Sequence, residues 1–132
     1  TSPAEAAEGA DVVLTCVGND DDLADVVLGP TGVFTALKPG ATFIDHTTVS
    51  ARIARQIAVE ARDLEVHCVD APVTGGQAGA ENGQLTVMCG GRADAIEAAR
   101  PIMEAYTKRI VHVESHEKSI HQMFWFAEWP RA

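Results

Sequence analysis

Asp11-Val12-Val13-Leu14-Thr15-Cys16-Val17-Gly18-Asn19, followed at once by Asp20-Asp21-Asp22, decides how this chain folds. Residues 11–17 are a nearly continuous apolar run, the pattern of a strand buried on both faces in a parallel sheet. Asn19 then predicts an N-cap, and the three acids predict first-turn charges of a helix carrying Leu23, Val26 and Val27. Strand followed by helix is half of a βαβ unit, and the chain repeats it. Gly29-Pro30 stops the helix, a short helix runs to about Leu37, and Lys38-Pro39-Gly40 is a turn. Thr42–Asp45 predicts the second strand. Thr47, Thr48 or Ser50 caps the next helix, whose stripe is Ile53, Ile57, Ala61 and Leu64. Val66–Val69 predicts the third strand. Each gap between strands holds a helix, as a right-handed parallel crossover requires. The fold class expected is α/β.

Beyond residue 70 the pattern changes. Residues 71–84 are rich in glycine and small side chains, without a strong period. Leu85–Cys89 predicts a strand and Gly90-Gly91 a turn. A helix follows from about Arg92 to Tyr106, with Asp94-x-x-Glu97 as a weak capping box and Pro101 expected to kink or split it. Arg109–Val113 predicts a last strand, so three parallel βα units lead into a mixed hairpin and helix region.

The chain has 132 residues, enough for one domain with a core. Hydrophobic residues are 46% and charged residues 22%, an ordinary globular composition. Nineteen acids against ten Lys and Arg give a net charge of −9. That balance argues against nucleic acid or an anionic membrane surface as partner. No apolar run approaches the ~18 residues of a membrane span. The first residues lack a basic-then-apolar leader pattern, and without a starting Met the chain is expected to be processed or trimmed. Cys16, Cys68 and Cys89 lie in apolar runs and read as buried thiols of a cytoplasmic protein, not as a disulfide framework or metal cluster.

In an open parallel sheet, ligands bind beyond the C-terminal strand ends. The residues there are Val17-Gly18-Asn19, Asp45-His46-Thr47-Thr48, and Asp70 to Gly76. Asn19, Asp45, Thr48 and Ser50 read equally as helix caps. Helix N-termini after the first two strands offer backbone N–H groups to a phosphate or carboxylate. Thr74 beside Gly75 and Gly76 offers a hydroxyl and N–H groups to a carboxylate. No G-x-G-x-x-G turn or P-loop occurs in the chain.

Ala10–Leu14, Gly40–Val49 and above all Asp70–Gly91 (DAPVTGGQAGAENGQLTVMCGG) resemble the β-hydroxyacid dehydrogenase family, which includes 3-hydroxyisobutyrate dehydrogenase. The resemblance covers roughly residues 4–113 and corresponds to the second half of the family's cofactor domain. It implies a partial Rossmann-type domain that binds NAD or NADP. Val17, Gly18, Asn19 and Thr48 would lie along the cofactor, and Thr74, Gly75 and Gly76 would hold the substrate carboxylate. It implies hydride transfer between NAD(P) and a small β-hydroxy acid or semialdehyde. The family's opening strand, its G-x-G-x-x-G turn, its catalytic lysine and its helical second domain have no counterpart here, so no catalytic residue is assigned, Lys118 included. The expectation is a fragment, inactive alone, with a foreign or frame-shifted end.

Residues 1–113 are thus expected as the domain and 114–132 as a tail outside the family pattern. The tail ends Met123-Phe124-Trp125-Phe126-Ala127-Glu128-Trp129-Pro130, apolar enough to pack on the domain or on a partner. A half-sheet has an open edge, and a homo-oligomer, a dimer, is expected. His112, His116 and His121 do not have the geometry of a metal site, and none is expected. His46 reads as a partly exposed strand-end side chain. Two functions stay open: weak dinucleotide or small-carboxylate binding, or a non-catalytic interaction module using the sheet edge and the aromatic tail.

Overall fold

The computed structural model describes residues 1–113. Ser2 caps a first short helix, α1 (Pro3–Ala7), accepting from the Glu5 N–H with Pro3 in the first turn. Ser-Pro-x-Glu is the N-terminal helix signal behind it. Strand β1 (Val12–Thr15), helix α2 (Asp20–Leu28), a 3-10 turn (Val33–Thr35), β2 (Thr42–Asp45), α3 (Ala51–Asp63) and β3 (His67–Asp70) follow. Then come β4 (Val73–Thr74), α4 (Gly76–Glu81), β5 (Leu85–Cys89), α5 (Ala93–Met103) and β6 (Thr107–His112).

Strands β1, β2 and β3 pair in parallel in that order, as the βα repeats demand. The pairing Val73↔Val87 and Thr74↔Thr86 between β4 and β5 is antiparallel, and Asp70↔Gly90 continues the same register. Residues 70–90 are therefore one antiparallel hairpin that carries α4 in its loop and joins β3 to β5. Parallel pairing of β6 on β5 closes the far side. The α/β class with a mixed second half is what the sequence predicts.

Side chains alternate across the sheet, so each face has its own core. Phe43 and Cys68 look towards α2, α3 and the 3-10 turn, where Leu23, Val27, Phe34, Ile53 and Ile57 are buried. Phe34 meets Phe43 edge to face, with ring centroids 5.0 Å apart. Ile44 and Val69 look the other way, onto Val87, Ile96, Ala99 and Met103. Gly91 lets the hairpin close on the sheet: its φ is +145°, and a Cβ there would lie 2.8 Å from the Cys68 carbonyl oxygen.

Several expectations need correction. β1 is not buried on both faces: Leu14 is 45% exposed, and among the described residues the strand pairs only with β2. Cys16 is exposed too, while Cys89 is buried and Cys68 half-buried; all three thiols are free. Pro101 does not split α5, which runs through it to Met103, because it falls in the last turn and removes only one helical bond. The capping box does not form. Asp94 accepts from the adjacent Ala95 N–H instead, and Glu97 pairs with Arg100. Residues 71–84, read as irregular, contain β4 and α4. The tail, with His116, His121 and its packing, lies outside the described residues.

Candidate functional site

The C-terminal ends of β1, β2 and β3 are tied together by short polar side chains. His46 N–H donates to the Thr15 carbonyl (2.8 Å), and Ala71 N–H donates to the Asp45 carbonyl (2.7 Å), extending the parallel ladder past the strands. Thr47 is buried; its Oγ1 accepts from the Val17 N–H at 2.9 Å. Asp45 Oδ1 accepts from the Thr15 hydroxyl (2.8 Å) and the Thr47 N–H (3.1 Å). Asp20 accepts from both the N–H and the hydroxyl of Ser50, joining the start of α2 to the start of α3. Those bonds hold the Asp20 carboxyl below the usual carboxylate range, with Arg52 helping.

Thr15, Asp45 and Asp70 form a row on the α3 face, with Asp45 and Asp70 register partners on neighbouring strands. Burial pushes Asp45 upwards, partly offset by its bonds to Thr47 and Thr15. Asp70 is pushed up to about 8, by burial first and by the Asp45 charge second. Neither this pair nor the clasp of Asp20 on Ser50 was foreseen; Asp20 looked like a first-turn charge only.

The site residues expected from the sequence divide into occupied and free groups. Asn19 is the N-cap of α2, its Oδ1 accepting from the Asp22 N–H at 2.9 Å, so its side chain is already committed. Val17 packs into the core, and Gly18 is exposed. Thr48, next to the buried Thr47, is exposed and its hydroxyl makes no bond to any described residue. It stands as a free donor and acceptor at the end of β2. Thr74 is half-buried at the end of β4. Gly75 and Gly76 are exposed, with φ of +131° and +63°, and Gly75 opens α4 without a side-chain cap. Backbone N–H groups at that turn have no helical partner.

The expectation of phosphate binding at the helix N-termini is corrected for α2. Asn19 fills its cap, and Asp20, Asp21 and Asp22 surround its first turn with negative charge. Ser50 similarly caps α3. The free groups present, a hydroxyl and uncapped amides, can hydrogen-bond a ligand's hydroxyl, amide or anionic oxygen.

His46 is more than the strand-end side chain expected. Its ring bonds the Ala71 carbonyl through Nδ1 and the Tyr106 hydroxyl through Nε2, each at 2.7 Å. Among the described residues no group of three His, Cys, Asp or Glu side chains comes together to hold a metal. No helix there is long and apolar enough to cross a membrane.

A family model described as the NAD binding domain of 6-phosphogluconate dehydrogenase matches residues 1–114. An uncharacterized oxidoreductase of Shewanella frigidimarina is 51% identical over 107 residues, 81% of this chain and 37% of that protein. A probable 3-hydroxyisobutyrate dehydrogenase-like protein of Arabidopsis thaliana is 45% identical over 103 residues, 78% of this chain and 34% of that protein. The solved structure of Mycobacterium tuberculosis 3-hydroxyisobutyrate dehydrogenase with L-serine superposes with a TM-score of 0.83 at 30% identity. It covers 93% of this chain and 41% of that one. The chain thus spans well under half the length of these proteins.

Proposed function

Since this chain belongs to the NAD-binding-domain family of 6-phosphogluconate dehydrogenase and 3-hydroxyisobutyrate dehydrogenase, we propose that it supplies part of the nicotinamide-dinucleotide site of a 3-hydroxyisobutyrate dehydrogenase-like oxidoreductase. On its own it retains weak binding of a dinucleotide or a small carboxylate. The observation that carries this reading is the contrast between the committed Thr47 and the free Thr48 at the end of β2. Val17, Gly18 and Asn19 form the neighbouring wall, through backbone and shape, since the Asn19 side chain is used as a cap. Thr48 bonds the ribose or the carboxamide, and Thr74, Gly75 and Gly76 hold the carboxylate of the second ligand. The dinucleotide, when bound, supplies or accepts the hydride; this chain's residues bind and orient. NAD and NADP are both retained as ligands, because no residue that reads the second phosphate is identified here.

The test is a titration of the 132-residue chain with NADH and with NADPH, read by ligand fluorescence and by melting temperature. Binding to the native state must raise the melting temperature. Saturable binding lost in Thr48→Ala and in Gly75→Trp supports the site; a stable fold indifferent to millimolar NADH and NADPH removes it.

A second reading, a self-associating interaction module, is favoured by one observation: the outer edge of β1 is unpaired among the described residues and Leu14 is exposed. An open apolar edge recruits another strand. A homodimer through this edge predicts that Leu14→Lys yields a monomer by sedimentation. A reducing compartment such as the cytoplasm suits the three free thiols, of which Cys68 and Cys89 are pushed up to about 12 by burial.

A further inference from the structure

His46 sits one residue beyond β2, on the face opposite Asp45, and so on the side covered by α5. Its ring reaches two elements far away in the chain. Nδ1 lies 2.7 Å from the carbonyl oxygen of Ala71, where β3 passes into β4. Nε2 lies 2.7 Å from the hydroxyl of Tyr106, at the turn between α5 and β6. The two rings also meet edge to face, 5.5 Å between centroids and 88° between planes.

Proton counting fixes the roles. A carbonyl oxygen only accepts, so Nδ1 carries the hydrogen. In the neutral ring Nε2 is then the acceptor, and Tyr106 donates to it. Burial and the neighbouring Cys89 push the Tyr106 hydroxyl up to about 12, so it keeps its proton to give. A histidine held by bonds at both ring nitrogens has one tautomer and one ring orientation.

We propose that His46 is a positioning residue, locked as the Nδ1–H tautomer by Tyr106, that clamps the loop bearing Thr48 to the Ala71 end of the loop bearing Thr74, Gly75 and Gly76. Thr47 ties the same loop to Val17 on its other side, but from the opposite face of the sheet. Together the two bonds hold the loop from both faces; the His46 bond reaches the 71–76 segment, whose Ala71 N–H also meets the Asp45 carbonyl at the strand end. Removing Tyr106's hydroxyl would free the ring to flip and let the two ligand-facing loops drift apart. The clamp's geometry stands by itself; its consequence for ligands rests on the dinucleotide reading above.

The experiment uses the full chain in three steps. Ring nitrogen shifts of His46, measured by long-range proton–nitrogen correlation, report the tautomer in the unaltered protein. Amide hydrogen exchange is then compared between wild type and Tyr106→Phe, and between wild type, His46→Asn and His46→Gln. NADH titration follows for each. The expectation is an Nδ1–H tautomer, and in Tyr106→Phe an exchange rate about three- to tenfold faster at residues 47–49 and 73–76, the scale of one hydrogen bond. Rates in β1 and β5 stay unchanged. His46→Asn, whose amide nitrogen takes the place of Nδ1, keeps most of the wild-type protection; His46→Gln does not. NADH affinity falls about three- to tenfold in Tyr106→Phe and in His46→Gln and stays near wild type in His46→Asn. An Nε2–H tautomer, or unchanged exchange in Tyr106→Phe, overturns the clamp. If no protein binds NADH while tautomer and exchange behave as stated, the clamp stands and the dinucleotide reading fails.

Discussion

The loop at residues 46–50 and the arm at residues 74–84 flank the same candidate site and are built oppositely. Within the first, His46, Thr47 and Ser50 each bond a residue at least twenty-five positions away. In the arm, every residue from Thr74 to Gln84 is exposed or half-buried, and its side-chain bonds are local, Gln77 to Glu81 and Asn82 to the Ala78 carbonyl. Its base is held by the pairing of Thr74 with Thr86 on β5, and a Cβ at Gly75 or Gly79 would come 3.2 or 3.3 Å from Leu85 Cδ2. The difference teaches how this site divides its work. On the dinucleotide reading, the first wall is held by bonds that exist without a ligand, and the second has fewer long-range side-chain bonds to hold it in place. Binding that depends on the fixed wall alone should be cheap in entropy; binding that engages the arm should not.

The sharpest way to break the comparison is at the fixed wall's own weak point, Asp70. Its folded-state value of about 8 lies above the ordinary 3.8. Between those limits the unfolded chain releases a proton that the native chain keeps, so stability falls as pH rises from about 4 to about 8 and then levels. Asp70→Asn removes most of that slope. Expected is a variant close to wild type at pH 4 and more stable at pH 8.5, by an amount on the order of a few kcal/mol. Urea unfolding at both pH values measures it. Asp45, also raised, leaves a residual slope. A parallel pair of curves would mean the two carboxyls are well solvated and the wall is not dry.

Much of this was legible in the sequence. Apolar runs, Asn19, the stripe on α3 and the Gly90-Gly91 turn report local physics, and the parallel order follows from it. The open edge of the half-sheet is legible in the sequence, but the faces of β1 read as buried although Leu14 is exposed, because an apolar run says what a strand can bury, not what covers it. Asp45 was foreseen as a strand-end polar group, but its coupling to Asp70 depends on register between strands, which no single run contains. His46 was discounted because its two partners, Ala71 and Tyr106, are 25 and 60 residues away. Thr48 was found through the resemblance; nothing in a Thr-Thr pair tells which hydroxyl turns inward.

That pair gives the next test. Thr47→Val keeps the shape and leaves the Val17 N–H without its acceptor, which costs ~1–3 kcal/mol when a donor is shielded from water. Thr48→Val removes a hydroxyl that has no protein partner and should change stability by less than ~0.5 kcal/mol. Thermal unfolding of the two side by side separates them. Equal losses would show that both threonines are structural, and the distinction on which the site rests would collapse.

The smallest expected effect lies in the arm, and it tests the other half of the comparison. Gly75 holds φ at +131°, where a side chain is strained, and a Cβ there would come 3.2 Å from Leu85 Cδ2. In a fixed wall, Gly75→Ala would be felt throughout the domain. In a loosely held arm the chain yields locally, because the leucine end is flexible and the arm has few bonds to lose. Global stability should therefore drop by no more than ~1 kcal/mol, below the ~1–3 kcal/mol range for enforced backbone strain. Limited proteolysis between residues 75 and 84 should accelerate severalfold while the melting temperature barely moves. A large drop in melting temperature with unchanged cleavage would mean that the arm is as rigid as the loop it faces, and that both walls of the site are formed in advance.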